Sequence, residues 1–90
     1  MKPSEYIHVG WCQGVVARNN IGRKCTASDP DAIQWCAAGA VSASLQKPVN
    51  VCQAMDELRD HLGDYEVTTW NDEGCRTKQE VIAALEAIGL

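Results

Sequence analysis

The residues of this 90-residue chain best equipped for chemistry are five cysteines, Cys12, Cys25, Cys36, Cys52 and Cys75, and two histidines, His8 and His61. The cysteine spacings are 13, 11, 16 and 23, so no CxxC pair occurs. A disulfide framework normally carries an even count, and structural zinc normally needs closely paired ligands. The cysteines therefore read as reduced thiols of a cytosolic protein. No metal and no cofactor is expected. One nucleophilic arrangement can be drawn, with Cys36 as a thiolate, His8 or His61 as its base and Asp72 orienting that base. The pattern places Cys36 well inside an apolar helical run, where nothing lowers its pKa, and each histidine reads as a helix-surface residue. Phosphate-binding glycine loops, HExxH and EF-hand loops are missing. No catalytic residue is assigned, and the chain reads as non-enzymatic.

A second constellation is polar and aromatic: Gln13, Arg18, Asn71, Asp72 and Arg76, close in sequence to Trp11, Trp35 and Trp70. These eight residues are the candidate binding cluster. As an internal clamp, Asp72 would pair with Arg18 or Arg76, and Asn71 would bond loop backbone, because buried polar groups must be partnered. As a small-ligand site, the tryptophans would wall a pocket into which the polar groups converge.

Several elements must position these groups. The stretch 29–45, DPDAIQWCAAGAVSASL, has Asp29 as a candidate N-cap, Pro30 at the first helical position and no charge between Ala32 and Leu45. It predicts a buried central helix over about 29–45. Pro3–Val9 predicts a short first helix stopped by Gly10. Val15-Val16-Ala17-Arg18, an Asn/Gly turn and Arg23-Lys24-Cys25 predict a β-hairpin over about 15–25. Gln46-Lys47-Pro48 breaks the chain before a helix at Val49–Leu62, with Gly63 at its end. Val67-Thr68-Thr69 reads as extended, with Trp70 folding back over the core. Thr77 and Glu80 form a capping box for a last helix. The expected fold is mainly α: a single domain, 1–90, of three to four helices around the central one, with a small hairpin.

Charge is unevenly placed. The net charge is −4. Residues 1–28 hold four cations against one carboxylate, a balance of +3, whereas 29–90 hold four against eleven, a balance of −7. Such acidity disfavours sequence-independent nucleic-acid binding, which requires phosphate neutralisation. Arg18, Arg23 and Lys24 could touch a phosphate or an acidic partner. No membrane span and no signal peptide are read. A chain of this size has a modest core, which a homodimer interface could supplement.

Three blocks carry a resemblance: Trp11-Cys12-Gln13-Gly14 with Ala17-Arg18 and Gly22-Arg23; Asp29-Pro30-Asp31-Ala32 with Trp35-Cys36 and Gly39-Ala40; and Trp70-Asn71-Asp72 with Arg76-Thr77 and Glu80-Val81. Together they resemble a family of small uncharacterised bacterial and phage proteins, a domain of unknown function, over about Gly10 to Ala87. The resemblance implies a cytosolic domain, in a bacterium or an infected host cell, without an established catalytic residue. The function expected is a protein-interaction or regulatory module with a protein partner, possible phage origin included. The alternatives are a small-ligand module using the Trp/Arg/Asn/Asp cluster and, behind it, a thiol-dependent hydrolase.

Overall fold

The computed structural model describes residues 1–90 and contains five helices and a three-stranded antiparallel sheet. Half of the chain is helical. The fold is therefore a compact α/β arrangement, which corrects the mainly helical bundle with one hairpin expected from sequence. Helix α1 spans Pro3–Val9 and ends at Gly10, as its punctuation predicts. The Glu5 carboxylate accepts from the Lys2 backbone N–H at 2.7 Å and closes the first turn.

The hairpin is present as β1, Ala17–Asn19, and β2, Lys24–Cys25, with Ala17 opposite Cys25 and Arg18 opposite Lys24. Its turn is tied by Asn19, whose side-chain oxygen accepts from Ile21 N at 3.1 Å and Arg23 N at 3.0 Å. Gly22, at φ +82°, supplies the left-handed residue that the reversal needs.

The stretch 29–45 departs most from expectation. Asp29 caps no helix there. Its carboxylate accepts from Asp31 N at 2.8 Å and its carbonyl from Ala32 N at 3.0 Å, which closes a local turn. Ala32–Trp35 then forms β3, paired with β1 on the side away from β2. Helix α2 is only Ala37–Leu45, with Cys36 as its N-cap. Pairing with β1 overrides the helix expected from the local pattern.

Helix α3 runs Pro48–His61 and α5 runs Lys78–Ala87, the latter entered through the Thr77/Glu80 capping box. Val67-Thr68-Thr69 is not extended but begins a short helix, α4, Val67–Asn71. Glu66 explains the difference. Its carboxylate accepts from the Thr68 hydroxyl, from Thr69 N at 2.9 Å and from the Thr69 hydroxyl at 3.0 Å. Those hydrogen bonds hold the Glu66 carboxyl down at about 2.

Although shorter than expected, α2 remains central. It packs against α1, α3, α4 and β3, and buries Ala37, Gly39, Ala40, Val41 and Ala43. Ile7, Leu58, Val81 and Leu85 complete the fully buried apolar core around Val41. Small residues are needed because the chain entering β1 lies directly on the first turn of α2. Cys36 N–H donates to the Val16 carbonyl at 3.0 Å, and a Cβ at Gly39 would overlap that same oxygen. Gly39→Ala must push the two segments apart, so urea denaturation should show a loss of about 1–3 kcal/mol, the usual range for overpacking. Gly74, where an added Cβ meets nothing, serves as control: Gly74→Ala should stay within about 0.5 kcal/mol of wild type.

Candidate functional site

The loop Trp11–Gly14 and the segment Trp70–Arg76 come together at the N-terminus of α2. Asn71, the last residue of α4, is completely buried between them. Its side-chain oxygen accepts from Trp11 Nε1 at 2.8 Å and from Ala37 N at 3.0 Å. Its side-chain nitrogen donates to the Cys12 carbonyl at 3.1 Å and to Asp72 Oδ1 at 2.9 Å. One amide thus joins the Trp11 loop, the first turn of α2 and the end of α4. The Ala37 N–H is one of the donors a helix start leaves unpaired, and Asn71 satisfies it from a distant part of the chain.

Neighbouring residues extend the junction. Gln13 Nε2 donates to the carbonyls of Asn71 at 3.0 Å and Glu73 at 2.8 Å. Asp72 Oδ1 also accepts from Gly14 N at 2.9 Å. Arg76 donates through Nε to the Trp70 carbonyl at 3.0 Å, and its guanidinium carbon lies 4.1 Å from the centre of the Trp70 ring. Nη1 of Arg76 meets Glu80 at 3.0 Å, and Nη2 lies 3.6 Å from Glu73. Trp70 is in α4 and buried under Arg76, rather than in an extended flap.

Of the eight cluster residues, Trp11, Gln13, Trp70, Asn71, Asp72 and Arg76 meet in this junction. Arg18 and Trp35 do not share its hydrogen bonds. Arg18 turns to the hairpin, where Nη1 donates to the Gly22 carbonyl at 3.0 Å. Trp35 donates through Nε1 to the Ala27 carbonyl at 3.1 Å and stacks edge-on against Tyr6 at 4.9 Å between ring centres. The Asp72 carboxylate meets backbone and amide donors, and Arg76 takes Glu73 and Glu80 as its ionic partners. No buried side-chain nitrogen or oxygen in the protein is left without a partner.

A shallow groove of about 240 Å³ adjoins the junction, lined by Gly14, Val15, Val16, Cys36, Thr68 and Asp72. Cys36 is not deep inside a helix, as the sequence pattern suggests, but at its start, and its sulfur accepts from Gly39 N at 3.3 Å. Burial nevertheless raises its pKa, outweighing the hydrogen bonds from the Gly39 and Ala38 backbone that lower it. Cys12 is pushed up to about 11, chiefly by burial and then by the nearby Cys36. Both are protonated at neutral pH and are poor nucleophiles. Neither His8 nor His61 lines this groove. No group of three or more histidine, cysteine or carboxylate side chains is placed to hold a metal ion.

Sequence reasoning missed that Cys36 is a helix cap and that Asn71 is the central bond-former. The first was hidden by the continuous apolar run. The second had a signal in Trp70-Asn71-Asp72, but its partners are 34 and about 60 residues away. The model of a family of unknown function (DUF6197) matches residues 4–88 of the chain. No curated protein and no solved structure matches.

Asn71→Leu would keep the volume but strip partners from Trp11 Nε1, Ala37 N and the Cys12 carbonyl. Each orphaned group costs about 1–3 kcal/mol, so equilibrium unfolding followed by tryptophan fluorescence should show a loss of about 3 kcal/mol or more. The thiols should divide by exposure. Cys52 and Cys75 are exposed and should react at once with an aromatic disulfide reagent, whereas Cys12 and Cys36 should react only on unfolding. A fast-reacting Cys36 in the native protein would contradict its burial and raised pKa.

Proposed function

We propose that this chain, which belongs to the family of unknown function DUF6197, is a non-enzymatic protein-interaction module whose contact face is the β-hairpin side of the sheet. One observation carries the reading. Ile21, in the turn of the hairpin that presents Arg18, Arg23 and Lys24, is 71% exposed, and Val16, just before β1, is 46% exposed. Ile33, 47% exposed, adds a third apolar side chain from β3. The other large exposed apolar residues, Met1, Val9, Val49 and Tyr65, are spread over the N-terminus, α1, α3 and the loop before α4. Exposed apolar residues on a segment rich in cations suit a protein contact, since the apolar part supplies binding energy and the charges steer and select.

The six cluster residues that meet, Trp11, Gln13, Trp70, Asn71, Asp72 and Arg76, fit this reading as the support of that face. Their junction holds the chain on which Val15 and Val16 follow, and its polar atoms are engaged with one another. A small-ligand role has less behind it. The adjoining groove is about 240 Å³, below the range of about 300–1,000 Å³ usual for such sites. A protonated, buried Cys36 likewise gives little support to thiol hydrolysis. No helix is long and apolar enough to cross a membrane. Five unpaired thiols favour a reducing compartment, in keeping with a cytosolic module of a bacterium or its phage.

A photo-crosslinking amino acid placed at Ile21 should capture a discrete protein adduct in the native host cell. The same group at Val49, 72% exposed on α3, should not. Equal labelling from both positions would count against the hairpin as the contact face.

A further inference from the structure

Resting on the interaction reading above, we infer that the free edge of β2 takes up an extended, acidic segment of a partner protein by strand addition. The sheet has two edges, in the order β2-β1-β3. The β3 edge is already covered: Trp35 N donates to the Gly10 carbonyl at 2.9 Å, and Cys12 N to the Trp35 carbonyl at 3.2 Å. The β2 edge has no neighbouring strand.

Register identifies the groups on offer. Asn19 N donates to the Arg23 carbonyl at 2.8 Å, so 19 and 23 are a hydrogen-bonded pair. Pairs alternate along an antiparallel ladder, which makes Arg18 and Lys24 the non-bonded pair. The N–H and C=O of Lys24 therefore point away from β1. One residue of an incoming antiparallel strand can exchange both bonds with it. Beyond it the ladder is limited, because the Thr26 carbonyl already accepts from Asp29 N at 3.2 Å.

Side-chain contacts must supply the rest, and the surface there is hollowed. Val15, Val16, Lys24, Cys25 and Thr26 line a groove of about 370 Å³. It runs into another of about 600 Å³, bordered by Val16, Cys25–Ser28, Ser42 and Gln46. Gln46 is held at φ +62°, in backbone that non-glycine residues rarely adopt, and is exposed at the groove's far end. Charge selects the occupant. Residues 14–28 contain Arg18, Arg23 and Lys24 and no carboxylate. Asp29 and Asp31 follow directly after the Cys25–Ser28 border, so the charge along the chain changes from basic on the hairpin to acidic beyond it. An incoming strand with its acidic residues over the hairpin matches this gradient. A second copy joined edge to edge would instead set Lys24 against the Lys24 of its mate. A nucleic acid would meet three cations and then a body of charge −7 over residues 29–90.

The test is selection of peptides from a random display library on the intact, reduced 90-residue protein. Enriched peptides should alternate apolar and acidic residues, and the best of them, made synthetically, should protect the Lys24 amide from hydrogen exchange. Arg23→Glu with Lys24→Glu should weaken its binding about tenfold or more, as expected for losing close charge complementarity. Lys24→Pro removes the outward N–H without removing a bond to β1, and should weaken binding while circular dichroism stays native. Four results would each overturn the proposal: peptides without acidic bias; binding unchanged in Lys24→Pro; a dimer that this substitution dissociates; or displacement of the peptide by an oligonucleotide with a steep salt dependence. Crosslinking at Ile21 separates the levels. An adduct there with a failed peptide test leaves the hairpin interface standing and removes only strand addition, whereas failure of both removes both.

Discussion

The buried amide of Asn71 is the interaction on which the rest of the structure depends. It bonds the indole of Trp11, the first free N–H of α2, the carbonyl of Cys12 and the carboxylate of Asp72. Only an amide, with its acceptor and its donor on one rigid plane, can serve N–H groups on one side and oxygens on the other. In an apolar surrounding such a network is costly if incomplete, so it selects one arrangement of the three segments it joins. Gln13 and the backbone bond to Gly14 repeat the same logic one step outward.

Close packing sets the second constraint. With alanine and glycine on its buried face, α2 lies against α1, α3, α4 and the sheet, and the chain before β1 touches its first turn. Larger side chains do the filling from outside: Ile7, Leu58, Val81 and Leu85 belong with Val41 to one buried cluster. Trp70 closes one side under the guanidinium of Arg76, and Trp35 another against Tyr6. A small core gains from such aromatic contacts because each buries much area with few rotatable bonds.

These internal demands distinguish the junction from the hairpin. Polar groups near the three-segment junction are spent on holding the loops, and the two thiols nearest it are kept protonated by burial. The hairpin has few such obligations. It carries exposed Ile21, with Val16 just before it, three cations and the uncovered sheet edge. Edge strands of this kind invite pairing, and a charged residue such as Lys24 limits which partners can take up the invitation.

Local chemistry was readable where proline, glycine or a capping box punctuates the chain, though not at the Asp29 turn or the Cys36 and Glu66 caps. Pro3 and Gly10 bound α1, Pro48 starts α3, the Thr77/Glu80 box starts α5, and the Asn/Gly turn forms the hairpin. The match to a family of unknown function over residues 4–88 agrees with the expected membership of an uncharacterised family. Tertiary pairing decided the fate of 32–35, whereas at 67–71 a local cap acted together with burial. The uncharged run between Ala32 and Leu45 reads as helix, yet pairing with β1 settles its first part as strand. Val67-Thr68-Thr69 favours extension by type, yet the Glu66 cap and burial of Trp70 and Asn71 make it helical. The partners of Asn71 were equally out of reach of sequence. Periodicity and caps report on neighbours along the chain, whereas hydrogen bonds spanning 34 to 60 residues exist only once the chain has folded.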